Sequence, residues 1–238
     1  MTEFAQIWSY LSQGPLLWLT ATLAAYAFGD AISQRANRAP VVNPVLIAVA
    51  LLAAVLFATG TRYATYFEGA QFVHFLLGPA TVALALPLWD NRARLRGAIL
   101  PLLAALMAGS VTAIVSALAI AQTFGVQGAT LASLAPKSAT APVAIGIAEN
   151  IGGLPTLTAV LVILTGVIGA VVATPLLNLL GLRDWRARGF ALGVAAHGIG
   201  TARAFHVHPT AGACAGLGMG MNAVLTALIA PYILALFI

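Results

Sequence analysis

The polar side chains of residues 135–153, APKSATAPVAIGIAENIGG, are the ones whose chemistry stands out in an otherwise apolar chain. Lys137 is the only lysine in the sequence, and Ser138 and Thr140 follow it between two prolines. An ammonium group beside two hydroxyls is a set of hydrogen-bond donors that suits a carboxylate. Prolines also interrupt helices, and the helix N-termini that result attract anions. The stretch therefore predicts a binding site for a small anion.

Two other broken segments supply further donors. Thr201 and Arg203 follow glycines in AHGIGTARA, residues 196–204, and Thr81 follows a Gly-Pro pair. We predict helix breaks at Pro79, Pro136 and Gly200. The complete set predicted to bind the substrate is Lys137, Ser138, Thr140, Thr201, Arg203, Pro79 and Thr81.

Glu149 and His197 are the titratable groups that we expect to handle coupling protons, with Asn150 beside the glutamate. Histidine titrates near neutral pH, and burial can raise the pKa of a glutamate into the same range. Each assignment has a structural alternative. Glu149 and Asn150 could form a helix end that faces water, and His197 could bond to a neighbouring helix. Lys137 could reach the interface from a loop, and Arg203 could mark the cytoplasmic side.

The remaining candidate motifs do not indicate an enzyme or a cofactor site. His74 fits packing or a loop contact, and His206 and His208 have no nearby acid or second cysteine to complete a metal site. The glycines between 212 and 220 fit helix packing, since no strand precedes them and no GK[ST] follows. GxSxG, HExxH, CxxC and Walker A sequences are all absent. We predict neither catalysis nor a cofactor.

Composition places these residues in a membrane. The chain of 238 residues is 61% hydrophobic and only 7% charged, whereas soluble domains carry about 25% charged residues. Its net charge of +5 does not indicate a nucleic-acid surface, because eight of the ten arginines fall in three short clusters typical of cytoplasmic loops. The first 13 residues hold no base, so we expect no cleavable signal. The sequence predicts an all-α, polytopic membrane protein.

About eight hydrophobic segments are expected in one integral-membrane domain, residues 1–238. The segments are 15–32, 44–59, 71–89, 98–124, 129–153, 154–180, 190–205 and 211–238. Several of them are broken at Pro or Gly. If every segment crossed once, the third arginine cluster would lie opposite the first two, against the positive-inside rule. Either 129–153 is a re-entrant hairpin of two half-helices, or the architecture is inverted and its second half departs from the rule.

A weak internal repeat relates residues 72–124 to residues 129–180. LGPATVALALPLWDN, from Leu77, and LAPKSATAPVAIGIAEN, from Leu134, share Leu-X-Pro, a threonine, a proline and an acid followed by Asn. Paired, interrupted hydrophobic segments are a sequence sign of a transporter site at a repeat interface. The pattern predicts an inverted-repeat carrier architecture.

Spaced motifs over residues 14–238 resemble the LrgB/CidB/YohK family. They are GPATVALALPLW at 78–89, PKSATAPVA at 136–144, GGLPTLTA at 152–159, AHGIGTARA at 196–204 and GLGMGMNAVLTALIAP at 216–231. This chain departs from the family where acids commonly follow GTARA, since it has His206 and His208 there. Substrate or coupling ion could differ accordingly.

The resemblance implies a multi-pass protein of the bacterial inner membrane with a smaller LrgA/CidA-type partner. Plant relatives transport glycolate and glycerate, and bacterial pairs are connected with pyruvate uptake. It therefore implies a carrier of small monocarboxylates, coupled to protons or another ion. The alternative that the family offers is an antiholin-like protein that modulates murein hydrolase export and autolysis.

The sequence also bears on whether the protein is a channel and whether it forms a dimer. A passive channel is disfavoured, because no segment carries a continuous polar stripe. Small residues along 98–124 and 154–180 allow a homodimer without requiring one.

Overall fold

The computed structural model describes residues 14–76, 79 and 99–238, and all regular secondary structure in these ranges is α-helical. The helices are α1 Pro15–Arg35, α2 Pro44–Thr59, α3 Tyr63–Phe75, α4 Ile99–Thr123, α5 Gly128–Leu134, α6 Ala141–Asn150, α7 Pro155–Leu179, α8 Trp185–Val207 and α9 Pro209–Leu234. Prolines begin several of them, because the first turn of a helix needs no N–H donor and the fixed φ of proline suits it.

Four of these helices, α1, α4, α7 and α9, are long and apolar enough to cross a membrane, with 21, 25, 25 and 26 residues. In α1, α4 and α7 only 22% of the most apolar window is buried within the protein. Large side chains such as Leu100 and Ile168 are exposed on these helices. Lipid is the solvent that such apolar faces require. The all-α, polytopic membrane class is confirmed.

The predicted number of eight segments is not established by these helices. The predicted segments leave residues 60–70 between 44–59 and 71–89, but α3 begins at Tyr63 and includes most of them. Most of the rest of segment 71–89, and with it most of the repeat motif that begins at Leu77, lies outside the described residues. Aromatic packing explains the early start of α3, because Tyr66 meets Trp18 of α1 edge to face at 5.7 Å between ring centroids.

The chain divides into two compact units, residues 1–83 and 84–238. In the first unit, α1 packs against both α2 and α3. Gly29 and Gly69 permit the close approach, since a side chain at Gly29 would lie 2.7 Å from the Pro44 carbonyl oxygen and one at Gly69 would overlap the α1 backbone. Asn43 caps α2, its Oδ1 accepting from the N–H of Val45 at 2.8 Å.

In the second unit, α9 is the central helix, with half of its most apolar window buried. It packs closely along α8, where Gly189 and Gly193 face the backbone of Ala211 and Ala215. A Cβ at either glycine would overlap those carbonyl groups. Small residues therefore bring the two backbones together, as in other membrane helix pairs.

Between α4 and α7 the chain forms a hairpin of two short helices, as in the first of the two alternatives for residues 129–153. α5 has 7 residues and α6 has 10, so they are about 10 and 15 Å long, too short for a hydrocarbon core of about 30 Å. Both arms pack on the last turns of α4 and α9, where Leu131 and Ile147 join Ala121 and Leu234 in one apolar cluster. The hairpin thus enters from the side on which α4 and α9 end.

Candidate functional site

The hairpin tip, residues 135–140, carries the lysine that the sequence singled out. Two backbone bonds fold it into a turn, from the N–H of Lys137 to the Leu134 carbonyl at 3.2 Å and from Ala139 to Pro136 at 2.9 Å. Lys137 is half-buried, and its Nζ donates to the Ser138 hydroxyl at 3.3 Å. An ammonium group has three donors. Two of them are available to a ligand.

No carboxylate among residues 14–76, 79 and 99–238 lies within ion-pair distance of Lys137. The two ion pairs found there join Asp30 to Arg38 and Asp184 to Arg186. A partly buried cation is stabilised by a negative charge, and a charge at membrane depth is costly without one. The tip is therefore suited to bind an anion from outside the described part of the chain.

A buried polar network holds this tip against α4 and α9. Asn222, near the middle of α9 and 1% exposed, donates from Nδ2 to the Ser138 carbonyl at 3.0 Å. Its Oδ1 accepts from the hydroxyl of Ser110 in α4 at 2.6 Å and from that of Thr226 at 3.3 Å. The sequence analysis did not select Asn222. A single amide in the apolar run of α9 was the signal that could have revealed it, because an intramembrane polar side chain marks a buried contact.

The break in α8 lies at Ala196 and His197 and not at Gly200 as predicted. Ala196 has φ −129° and ψ 18°, and His197 has φ 41° and ψ −134°. Gly200 is helical, but a Cβ there would lie 2.8 Å from the Leu192 carbonyl oxygen and 2.7 Å from the Ala196 Cβ. The glycine makes room for the bend without being the residue that bends.

His197 bonds to the neighbouring helix. Its Nε2 lies 2.9 Å from the carbonyl oxygen of Val162 in α7, and the ring is 4% exposed. Gly166 provides the space, since a Cβ on it would lie 2.6 Å from the His197 Cε1. The structural alternative for His197 is thus present in the structure, and its coupling role stays a prediction.

His197 also lies near the hairpin. The side chain of Val162, whose carbonyl group bonds to His197, packs against Ala139 and Ala144. Val162 therefore touches the hairpin with its side chain and the α8 break with its carbonyl group. The break and the tip form one constellation.

The other predicted residues take different positions. The hydroxyl of Thr201 donates to the His197 carbonyl at 2.8 Å and so stabilises the break. Arg203 is half-buried further along α8, and Thr140 is half-buried at the start of α6. Glu149 and Asn150 are exposed at the far end of α6, about 15 Å from Thr140 by helix length.

The remaining predicted positions belong to segment 71–89. Thr81 lies outside the described residues. Pro79 is described without its immediate neighbours, so the break predicted there is untested.

A cavity of about 600 Å³ between α4 and α8 is lined by other residues. Its wall is mostly apolar, including Leu102, Phe190 and Val194, with Asp184 and Arg186 at one end. None of the predicted site residues that the structure describes lines it. A carboxylate would lose its hydration against the apolar wall, and the charged donor at the end of the cavity, Arg186, already pairs with Asp184. The hairpin tip is the better candidate for anion binding.

The fold and the tip together define a polytopic α-helical membrane protein with a lysine at the end of an internal hairpin. The profile of the LrgB-like family matches residues 22–236, which extend across both compact units. This chain belongs to the LrgB-like family, which confirms the resemblance found in its motifs.

Several bacterial relatives are similar over nearly their whole length. The holin-like protein CidB of Staphylococcus epidermidis is 31% identical over 222 residues, covering 93% of this chain and 96% of the relative. CidB of Staphylococcus aureus is 30% identical over 222 residues with the same coverage. The Bacillus subtilis protein YwbG is 33% identical over 217 residues, covering 91% of this chain and 96% of that protein. No solved structure matches the chain.

Proposed function

We propose that this protein carries small monocarboxylates, of the pyruvate, glycolate, glycerate and lactate class, across the bacterial inner membrane. The observation that carries the proposal is Lys137, half-buried at the tip of a hairpin between membrane helices, with no described carboxylate in ion-pair distance. A small anion would supply the missing negative charge. Its carboxylate oxygens would accept from the lysine ammonium group and from the neighbouring hydroxyl groups.

The position of the tip favours transport over simple binding. Transporters place substrate sites near the bilayer midplane, on broken helices whose irregular backbone borders a cavity. Here the Ser138 carbonyl meets Asn222 near the middle of the membrane-length helix α9. The break of α8 lies on the helix that packs along α9, and Val162 contacts both the break and the hairpin. Two interruptions that both contact Val162 provide the local irregularity that alternating access needs.

The full proposed binding set remains that of the sequence analysis, with Lys137 as the principal residue. Ser138 and Thr140 share its turn, and Thr201 and Arg203 lie beyond the α8 break. Pro79 and Thr81 complete the set. We assign proton coupling to His197, with Glu149 and Asn150 at the far end of the hairpin arm.

A second candidate function has support from the relatives. The two CidB proteins are named holin-like, which favours a membrane protein that modulates a pore, murein hydrolase export and autolysis. This support is more direct than any that the comparisons give to a carrier. In this function an LrgA/CidA-type partner is required, and the chain alone produces no saturable flux. A homodimer is compatible with either function.

Uptake into proteoliposomes that hold only this chain separates the two candidates. Labelled pyruvate, glycolate and lactate are offered under an imposed proton gradient, and an entrapped dye reports leakage. A carrier gives saturable uptake with the dye retained. Dye release would indicate a pore. If neither uptake nor dye release occurs, the carrier proposal is wrong for the isolated chain and the modulator becomes the leading candidate.

Lys137→Ala tests the site within the same assay. We expect saturable uptake to fall at least about thirtyfold, because a charged group that bonds directly to a buried anion contributes about 2–5 kcal/mol. Arg183→Ala is the matched control, since Arg183 is an exposed cation outside the tip. Uptake by Lys137→Ala equal to that of the wild type would remove Lys137 from the site.

A further inference from the structure

We propose that Asn222 is a positioning residue that fixes the hairpin tip in the place where Lys137 meets the substrate. Three hydrogen bonds converge on its side chain, from Ser110 of α4, from Thr226 and to the carbonyl of Ser138. The loss of substrate affinity expected on mutation rests on the proposed function. The claim that Asn222 holds the tip rests only on these three hydrogen bonds.

The orientation of the Asn222 amide is determined by its partners. A backbone carbonyl can only accept a hydrogen bond, so the Nδ2 group must face Ser138. The Oδ1 atom then faces the two hydroxyl groups, each of which can donate. All three contacts are buried: Ser110 is 1%, Asn222 1% and Thr226 2% exposed. The amide therefore has one arrangement that satisfies every partner.

The contact with Ser138 sets the position of the tip relative to α9. The turn is closed by backbone bonds within residues 134–139, which set its shape but not its place relative to α9. The only described side chain that bonds to a tip carbonyl from another helix is that of Asn222. Because Ser138 follows Lys137 directly, this bond sets the position of the peptide unit beside the lysine.

Replacing the amide by an apolar side chain of similar size isolates this role. In Asn222→Leu the Ser138 carbonyl loses its donor while the packing volume is nearly kept. Thr226→Val is the matched control, since it also replaces a polar by an apolar group and removes one bond to Asn222, yet it leaves the Ser138 contact in place.

Cysteine labelling measures the tip directly. The single native cysteine, Cys214, is buried and is replaced by alanine. Thr140→Cys then reports the tip, and Asn150→Cys reports the exposed end of α6 as an internal reference. We expect Asn222→Leu to raise the maleimide labelling rate at position 140 at least about fivefold with the rate at position 150 unchanged, and Thr226→Val to leave both rates unchanged.

Equal labelling rates at position 140 in Asn222→Leu and its parent would overturn the proposal. So would a rise of the same size at both reporters or in Thr226→Val, because it would indicate general loosening of the helices. If Asn222→Leu does not fold, the smaller Asn222→Ala is measured in the same way, with the same outcomes decisive.

The affinity readout is separate from the labelling. In proteoliposomes Asn222→Leu should raise the half-saturating concentration of substrate about tenfold, within the range for a lost buried hydrogen bond, and change the maximal rate much less. If no variant and no wild-type protein shows uptake, the proposed function fails while the labelling result still decides the role of Asn222. If uptake occurs and Asn222→Leu keeps the wild-type half-saturating concentration, the inferred effect on the substrate is wrong.

Discussion

The hairpin tip and the α8 break interrupt their helices in different ways. At the tip, prolines interrupt the helix, and the tip is held from outside when Asn222 donates to a backbone carbonyl. At the break there is no proline. His197, the residue at the bend, makes the supporting bonds: its ring bonds to the Val162 carbonyl, and its own carbonyl accepts from the Thr201 hydroxyl. The tip keeps the donors of Lys137 available, whereas the break uses its side chains internally.

This difference assigns different roles to two polar regions that look alike in the sequence. In the proposed function the hairpin is the region whose side chains contact the ligand. The α8 break supports it, because Val162 packs on the hairpin and bonds to His197. The hydroxyl of Thr201 already donates within α8, so its predicted contact with substrate would require it to exchange partners.

The largest effect on stability is expected where the break has least space. Gly166→Ala would place a Cβ 2.6 Å from the His197 Cε1, forcing the ring from Val162, at a cost of about 1–3 kcal/mol for overpacking. The thermal midpoint in detergent measures it. Gly220→Ala is the control, because nothing lies within 4 Å of a Cβ there. An unchanged midpoint in Gly166→Ala would show that the ring has other space.

A smaller effect separates the bond of His197 from its backbone conformation. Its φ of 41° favours glycine, and alanine in the left-handed region costs about 1–2 kcal/mol. Both His197→Ala and His197→Gly lose the bond to Val162, and they differ only in how well they tolerate this backbone conformation. We therefore expect the glycine variant to have the higher thermal midpoint. Ala191 is exposed within helical α8. Glycine there should instead lower the thermal midpoint, because it reduces the free energy of unfolding by about 0.5–1 kcal/mol. If the alanine and glycine forms had the same order of thermal midpoints at positions 191 and 197, the break at His197 would be contradicted.

The smallest effect concerns the start of α8, which is an ordinary capped end. Asp184 accepts from the N–H of Arg186 at 2.7 Å, and hydrogen bonds from the Arg186 side chain and backbone lower the pKa of its carboxyl to about 2. Because the folded pKa lies below the unfolded value, the stabilisation is present above pH about 4 and is lost as pH falls towards 2. Asp184→Ala should cost about 1 kcal/mol at neutral pH.

Thermal midpoints at pH 7 and near pH 2 check this prediction. The difference between Asp184→Ala and the wild type should shrink at the lower pH. A difference that stays constant, or grows with acid, would show that the carboxylate charge does not support the cap. Asp184→Asn should fall between Asp184→Ala and the wild type at pH 7, because asparagine keeps a capping oxygen but not the charge.

The sequence was most informative where proline interrupts the helix, because the ring of proline restricts the backbone by its covalent structure. Pro136 and Pro142 lie on either side of Lys137, and proline limits the backbone wherever it occurs, so the hairpin and its polar tip could be predicted. The long apolar runs likewise identified α1, α4, α7 and α9, because hydrocarbon thickness sets their length.

Features that depend on a neighbouring helix were beyond the sequence. The bend at His197 requires space left by Gly166 of α7, and the prediction therefore chose Gly200, the more flexible residue. Asn222 stands in an apolar helix, and its significance comes from Ser138, which is 84 positions away along the chain. Glu149 was selected by residue type, but the helical path of α6 leads it away from the tip.

Equilibrium binding to purified protein tests the central claim, that Lys137 at the hairpin tip binds the anion, most directly. Labelled pyruvate, glycolate and lactate are titrated against the wild type, Lys137→Ala and Arg183→Ala in detergent, with thermal midpoints recorded for each. We expect saturable binding of at least one carboxylate by the wild type and Arg183→Ala, and its loss in Lys137→Ala at an unchanged midpoint. Binding of equal affinity by folded Lys137→Ala would contradict the account.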